Sequence, residues 1–210
     1  MDVAREERKA RRRGQRREAI LAAAAGLLRE EGREALTASK LAQAADMAPA
    51  SLYHYVDSLQ EVVDSLMFRE MEREGLAMTA ALATVSGGVE SLQALIRAKV
   101  HHYRDEPDSY SLLYGQLTAM PLSERVVRED ILPRTGQLYG LLAQRVESDQ
   151  ARGRITLALH PRMLANLAWC SAQGILVMAD GARAAGSSTL FPIEALAEEA
   201  CRVIERACRP

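Results

Sequence analysis

Aromatic side chains are scarce, 4% of 210 residues with one Trp and two Phe, and the chain is instead rich in Ala, Leu, Arg and Glu. That balance favours helices over sheets. Cysteine is nearly absent: Cys170, Cys201 and Cys208 are odd in number, far apart and form no C-x-x-C pair, which speaks against a disulfide framework or a zinc site. All three are expected to be buried small apolar groups. No apolar run approaches the roughly 20 residues of a membrane span, and the arginine-rich beginning is not followed by an apolar stretch, so a soluble, cytoplasmic protein without membrane contact is expected. Catalytic signatures are missing too. There is no nucleophile elbow, Gly-rich phosphate loop, H-E-x-x-H or carboxylate pair in an apolar setting, so neither an enzyme nor a cofactor is expected. The adjacent His101 and His102 would point about 100° apart on a helix, a poor chelate, and no metal is expected.

What is present is a charge asymmetry hidden by a net charge of -1. Residues 1–17 carry eight basic groups against three acidic, a net +5 that leaves -6 on the remainder. A basic arm on an acidic body suits a molecule with one end facing a polyanion. Beyond the arm, apolar periodicity predicts about nine helices, no strand and no internal repeat. The first runs from Arg16 with Ile20, Leu21, Ala24, Leu27 and Leu28 on one face, stopped by Gly32. Thr37 is expected to cap a short helix, Asp46-Met47-Ala48-Pro49 to turn the chain, and Pro49 to open a second short helix through about Val56. Ser58 and Glu61 have capping-box spacing at the start of a longer helix reaching about residue 82. Further helices are expected at 89–103, 109–119, 123–151 with Pro133 as a kink, 161–182 and 192–208.

Two short helices joined by a four-residue turn form a helix-turn-helix, whose second helix enters the major groove of DNA. Within this unit the order Gly32, Thr37, Leu41-Ala42, Leu52-Tyr53-His54-Tyr55-Val56 and Ser58 resembles the TetR (tetracycline-repressor) family over about residues 16–66. The chain departs from the family pattern at three places: Asp46 stands where Gly is usual, Ala48 replaces a Ser cap, and Leu59 replaces a phosphate-contacting Lys. Asp tolerates a left-handed backbone better than most residues, so the turn is expected to persist. On so short a second helix, Pro49, Ala50, Ser51, Tyr53 and His54 are the residues that can reach base edges. The resemblance implies that Ser51 and His54 face bases, that Tyr53 and Tyr55 contact phosphates or pack at the DNA surface, and that Ser39 and Lys40 lie near the backbone, with Thr37 also in the DNA-binding set. Hydroxyls, an imidazole and an ammonium suit those tasks.

The charge pattern marks residues 1–15 as a flexible basic arm, and the resemblance further implies a DNA-binding domain at 16–66 with its connecting helix continuing to about 82, and a ligand-binding and dimerisation domain at 83–210. Polar or aromatic residues set among apolar ones on its central helices are candidate contacts for a small-molecule effector: His102, Tyr103, Tyr110, Tyr114, Gln116, Met120, Trp169 and Gln173, with Tyr139 and Met178 beside them. The shortage of charge among them favours an uncharged or amphipathic effector. Leu164, Leu167 and Ile175, with Leu196, Val203 and Ile204, lie on the apolar faces expected to pair in a homodimer's four-helix bundle. The function implied is a ligand-responsive regulator, a repressor acting at a palindromic double-stranded DNA operator. The alternative is a helical protein-binding adaptor whose motif has lost DNA affinity.

Overall fold

A computed structural model describes residues 3–115 and 121–209. The described residues contain helices and no strand: α1 (Val3–Glu30), α2 (Ala38–Ala44), α3 (Pro49–Leu52), α4 (Leu59–Ala83), α5 (Gly88–Asp105), α6 (Pro107–Tyr110), α7 (Glu124–Val126), α8 (Leu132–Ala151), α9 (Pro161–Ala184) and α10 (Ile193–Cys208). The chain divides into two compact units. One comprises residues up to Glu70 with Ser111–Val127, the other Met71–Tyr110 with the residues from Arg128 onward. The division falls inside α4, between the expected end of the DNA-binding domain at 66 and that of its connecting helix at about 82, and Ser111–Val127 group with the first unit.

In the first unit, α1 packs on α2 and α2 on α3. Ile20, Leu21, Ala24 and Leu28 of α1 close over Leu41, Ala42, Leu52 and Val56, all fully or almost fully buried. At about 25 cal/mol per Å² of apolar surface removed from water, this clustering is what holds the short α2 and α3 to the long α1. Gly32, at φ 74, stops α1 as expected. At its other end α1 begins at Val3 instead of near Arg16, so the arm is helical. Its Arg, Lys, Glu and Ala are good helix formers, and the buried half of the same helix supplies the nucleus.

In the second unit α5 is central, flanked by α8, α9 and α10. Its apolar face (Leu92, Leu95, Ile96, Val100) is entirely buried. Gly88 begins it in close approach to α8, its amide donating to Asp149 Oδ2 at 2.7 Å. Arg97 holds Glu198 of α10 with Nε and Nη2 at 2.6 and 2.8 Å. The helix expected at 123–151 is broken into α7, a π-helical turn at Val127–Ile131 and α8. Pro133 lacks the N–H that a continuous helix would require, and the widened turn before it absorbs the mismatch.

Candidate nucleic-acid interface

The first unit presents its helix-turn-helix through local chemistry. Thr37 caps α2, its hydroxyl accepting from the Lys40 amide at 3.3 Å, and Leu41 and Ala42 anchor α2 inward. Asp46 has φ 52, the sole non-glycine residue in the left-handed region among those described, and the Met47 amide returns to Ala42 O at 2.9 Å to close the turn. An extended Ala48 makes no side-chain cap, and Pro49 occupies the first turn of α3. The helix ends at Leu52, not Val56: Tyr53–Tyr55 continue as tight turns, with His54 N on Ser51 O at 3.2 Å and Tyr55 N on Leu52 O at 3.0 Å. Leu52 and Val56 are buried, and this pins the segment by one side.

The opposite side is open. Pro49, Ala50, Tyr53 and His54 are exposed, while Ser51 and Tyr55 are half-buried; Thr37, Ser39 and Lys40 are exposed at the start of α2. All nine candidates therefore lie in one unit. Lys40 is held by Glu31 at 2.5 Å, so a phosphate would have to compete for it. Behind α3 the Ser58–Glu61 cap forms, with Glu61 N on Ser58 Oγ at 3.0 Å. The Glu61 carboxylate takes the Asp57 amide at 3.3 Å rather than that of Ser58, and it also binds Arg17 of α1, whose Nη2 donates to Ser65 Oγ at 2.8 Å. An open cleft of about 390 Å³ between α1 and this cap is lined by Arg13, Arg17, Tyr55, Asp57 and Glu61.

The second unit holds a polar cluster within its apolar interior. Lys99 of α5 is fully buried and paired with Glu74 of α4. Tyr103 OH donates to the same carboxylate at 2.9 Å, and Lys99 Nζ lies 5.0 Å from the Trp169 ring centre and 5.4 Å from that of Tyr103. Burial pushes the Lys99 ammonium below its usual range against the opposing pull of Glu74. Tyr110 packs edge-on against Tyr103 at 5.2 Å and accepts from Gln173 Nε2 at 2.9 Å. Burial raises its phenol to about 12. Gln173 Oε1 is buried with no hydrogen-bond partner among the described residues, the kind of atom a bound molecule satisfies.

Four effector candidates, Tyr103, Tyr110, Trp169 and Gln173, thus meet, and His102 stacks edge-on against Tyr103 at 4.7 Å. Tyr114 belongs to the first unit; Gln116 and Met120 lie outside the described residues. Met178 is exposed. Lys99 and Glu74 escaped the sequence reading, although Lys99 follows Leu92, Leu95 and Ile96 at helical spacing and so sits on the buried face of α5. Of the dimerisation candidates, Leu164 and Ile175 turn into the core of their own unit, Leu167 and Val203 are exposed, and Leu196 and Ile204 are intermediate. Cys201 and Cys208 are buried, but Cys170 is exposed, correcting the expectation that all three are interior. It lies on the outer face of α9, one turn beyond Leu167.

The sequence pattern described as "Bacterial regulatory proteins, tetR family" matches residues 20–66. No curated protein matches the chain by sequence. Among solved structures, the TetR family transcriptional regulator PfmR from Thermus thermophilus is similar with a TM-score of 0.68 at 18% identity, over 91% of this chain and 99% of that one. AibR, solved with isovaleryl coenzyme A and operator DNA, has a TM-score of 0.66 at 19% identity over 90% and 97%. The ketosteroid transcriptional regulator KstR2 of Mycobacterium tuberculosis has 0.65 at 16% over 95% of each. Residues 20–66 thus belong to the amino-terminal domain of the bacterial tetR-family regulatory proteins, carried on a chain whose fold is shared with solved regulators of that family.

Proposed function

We propose that this protein is a ligand-responsive transcriptional repressor that binds a palindromic operator as a homodimer and leaves it when a small molecule occupies the second unit. The observation that carries the reading is the exposed α3 segment, anchored by Leu52 and Val56, inside the stretch that matches the family. Ser51 and His54 read base edges, whereas Thr37, Ser39, Lys40, Tyr53 and Tyr55 contact the backbone and Pro49 and Ala50 allow close approach. Leu167 and Val203, exposed on α9 and α10, and the half-covered Leu196 and Ile204 supply apolar surface for a partner copy. The effector takes the place between Tyr103, Tyr110, Trp169 and Gln173, and an amphipathic molecule suits hydroxyl and amide groups set among aromatic rings. AibR, which carries both an acyl-coenzyme A and operator DNA, supports coupling of the two kinds of ligand on this fold.

α4 begins in the first unit and ends in the second, so it is the element through which occupancy near Glu74 reaches the DNA-binding side. Half-sites one turn apart are about 34 Å from centre to centre, and a shift of a few ångströms between reading heads spoils simultaneous docking. The test is selection of duplexes from a random pool by the purified full chain. A twofold-symmetric consensus is expected, altered at defined positions by Ser51→Ala or His54→Ala, while Tyr53→Phe weakens binding evenly across sequences. Failure to enrich any duplex would overturn the proposal and leave the protein-binding adaptor.

A further inference from the structure

The first turns of α1 carry a density of positive charge that the other described residues leave largely unneutralised. Residues 5–16 are all exposed, so this half of the helix buries no face. At about 100° per residue, seven of the eight cations in residues 5–17 fall within one half of the circumference, with Arg5, Lys9, Arg12 and Arg16 along its midline. Five like-charge pairs stand at i,i+4, from Arg5 and Lys9 to Arg13 and Arg17, and each is destabilising to a helix. Among the described residues Arg17 alone of these cations forms an ion pair, with Glu61. The others, with only Glu6 and Glu7 of opposite sign among them, stand exposed to solvent and are open to an external polyanion.

We propose that residues 5–17 form a helical arm that tracks the phosphate backbone of duplex DNA outside the base pairs read from α3. The inference rests on the DNA-binding reading and adds a second, sequence-independent contact to it. The arm's residues 5–16 span about 18 Å, a length of duplex that presents roughly ten phosphates. Continuity with the reading head is built into the first unit, since Arg13 and Arg17 share a cleft with Tyr55, the last of the candidate contacts after α3. An anionic membrane is the poorer occupant. The side away from the cations carries Ala10 and Gly14 and no Leu, Phe or Trp, whereas a helix lying in a bilayer surface needs an apolar face.

The experiment compares the full chain with a variant in which Arg5, Arg8, Lys9, Arg12 and Arg16 are replaced by Gln, on duplexes the wild-type protein selects from a random pool, prepared with and without arbitrary flanks of about 10 base pairs. Wild type is expected to bind the flanked duplex more tightly whatever the flank sequence. The glutamine variant should lose that gain, with the log–log salt slope falling by about 4 to 5, and a variant with lysine at the four arginines should keep it. Far-UV circular dichroism and thermal melting establish that the variants retain the fold. An unchanged slope and flank dependence in a folded glutamine variant overturns the arm while leaving the DNA-binding reading intact; a wild type that selects no duplex overturns both. Loss of binding to phosphatidylserine vesicles in the glutamine variant, with duplex binding unaltered, overturns the duplex in favour of a membrane.

Discussion

Replacing Glu74 by Gln strands a fully buried ammonium, and its consequence can be worked out in sign and size. In the native protein Lys99 has the Glu74 carboxylate against it and the faces of Trp169 and Tyr103 nearby. Burial already lowers its pKa, and Glu74 provides the influences that raise it. With those removed, Lys99 in the folded variant gives up its proton sooner than the unfolded chain does. The largest charge penalty at neutral pH is then the free energy of discharging the amine. At about 1.4 kcal/mol per pH unit, over the roughly 3.4 units to lysine's reference value near 10.4, that ceiling is about 4.6 kcal/mol. Because the folded pKa is depressed, the unfolded state binds more protons between the two values and stability rises with pH. At pH 9 the ceiling falls to about 2 kcal/mol. Urea unfolding of wild type and Glu74→Gln at pH 7 and pH 9 reads the difference, corresponding to melting shifts of about 2–4 °C per kcal/mol for a chain of this size. Combining Glu74→Gln with Lys99→Met removes the stranded charge and should recover most of the loss. A Glu74→Gln variant that loses under about 1 kcal/mol at pH 7, or whose loss is the same at both pH values, would refute the placement of Lys99 in a dry interior.

Gly88→Ala should cost about 1–3 kcal/mol, read from the urea midpoint, since the added Cβ would lie 2.9 Å from Val146 Cα and 3.1 Å from the Arg145 carbonyl; a neutral substitution would mean that α5 and α8 are free to separate. Asp46→Gly should relieve the left-handed backbone at φ 52 and gain up to about 1 kcal/mol after glycine's greater unfolded-state entropy is subtracted, and Ala48→Ser should add about 1 kcal/mol through the missing cap of α3; lower melting temperatures in both would contradict the turn geometry. Alkylation at pH 8 should modify Cys170 first, because burial raises the Cys201 thiol to about 11 and also raises Cys208, and the rate at Cys170 should fall with rising protein concentration if α9 pairs with a second copy. A rate independent of concentration, measured where sedimentation detects a dimer, would place the interface elsewhere.

The elements that were legible in the sequence are those whose cause is local. A cap at Thr37 and a proline at the first turn of α3 each act within four residues, so the two helix starts could be read from spacing, whereas the left-handed Asp46 is expected through the resemblance and the end of α3 at Leu52 comes earlier than the spacing suggests. The arm shows the limit of that reading. Dense charge suggests a solvated tail, yet propensity and continuity with a buried helix favour α1 from Val3. The buried pair needed more, because Glu74 and Lys99 stand on different helices and neither residue reveals by itself that the other will neutralise it.

α9 explains why the dimerisation candidates were only partly sorted. Leu164, Ala168, Ala172, Ile175 and Leu176 face the core, while Met163, Leu167, Val177 and Met178 are each about half exposed on the other side. A helix apolar on both sides has no periodic signal separating the stripe that meets its own unit from the stripe left for another. Only packing makes the distinction: α5, α8 and α10 all pack against α9, and the stripe they leave exposed carries Met163, Leu167, Val177 and Met178 at helical spacing, with Cys170 among them. A monomer gains nothing from such a stripe, and water penalises it in proportion to its area. Apolar surface that the described residues leave exposed on α9 is the physical reason to look for a partner in a second copy, and the concentration dependence at Cys170 is the test of it.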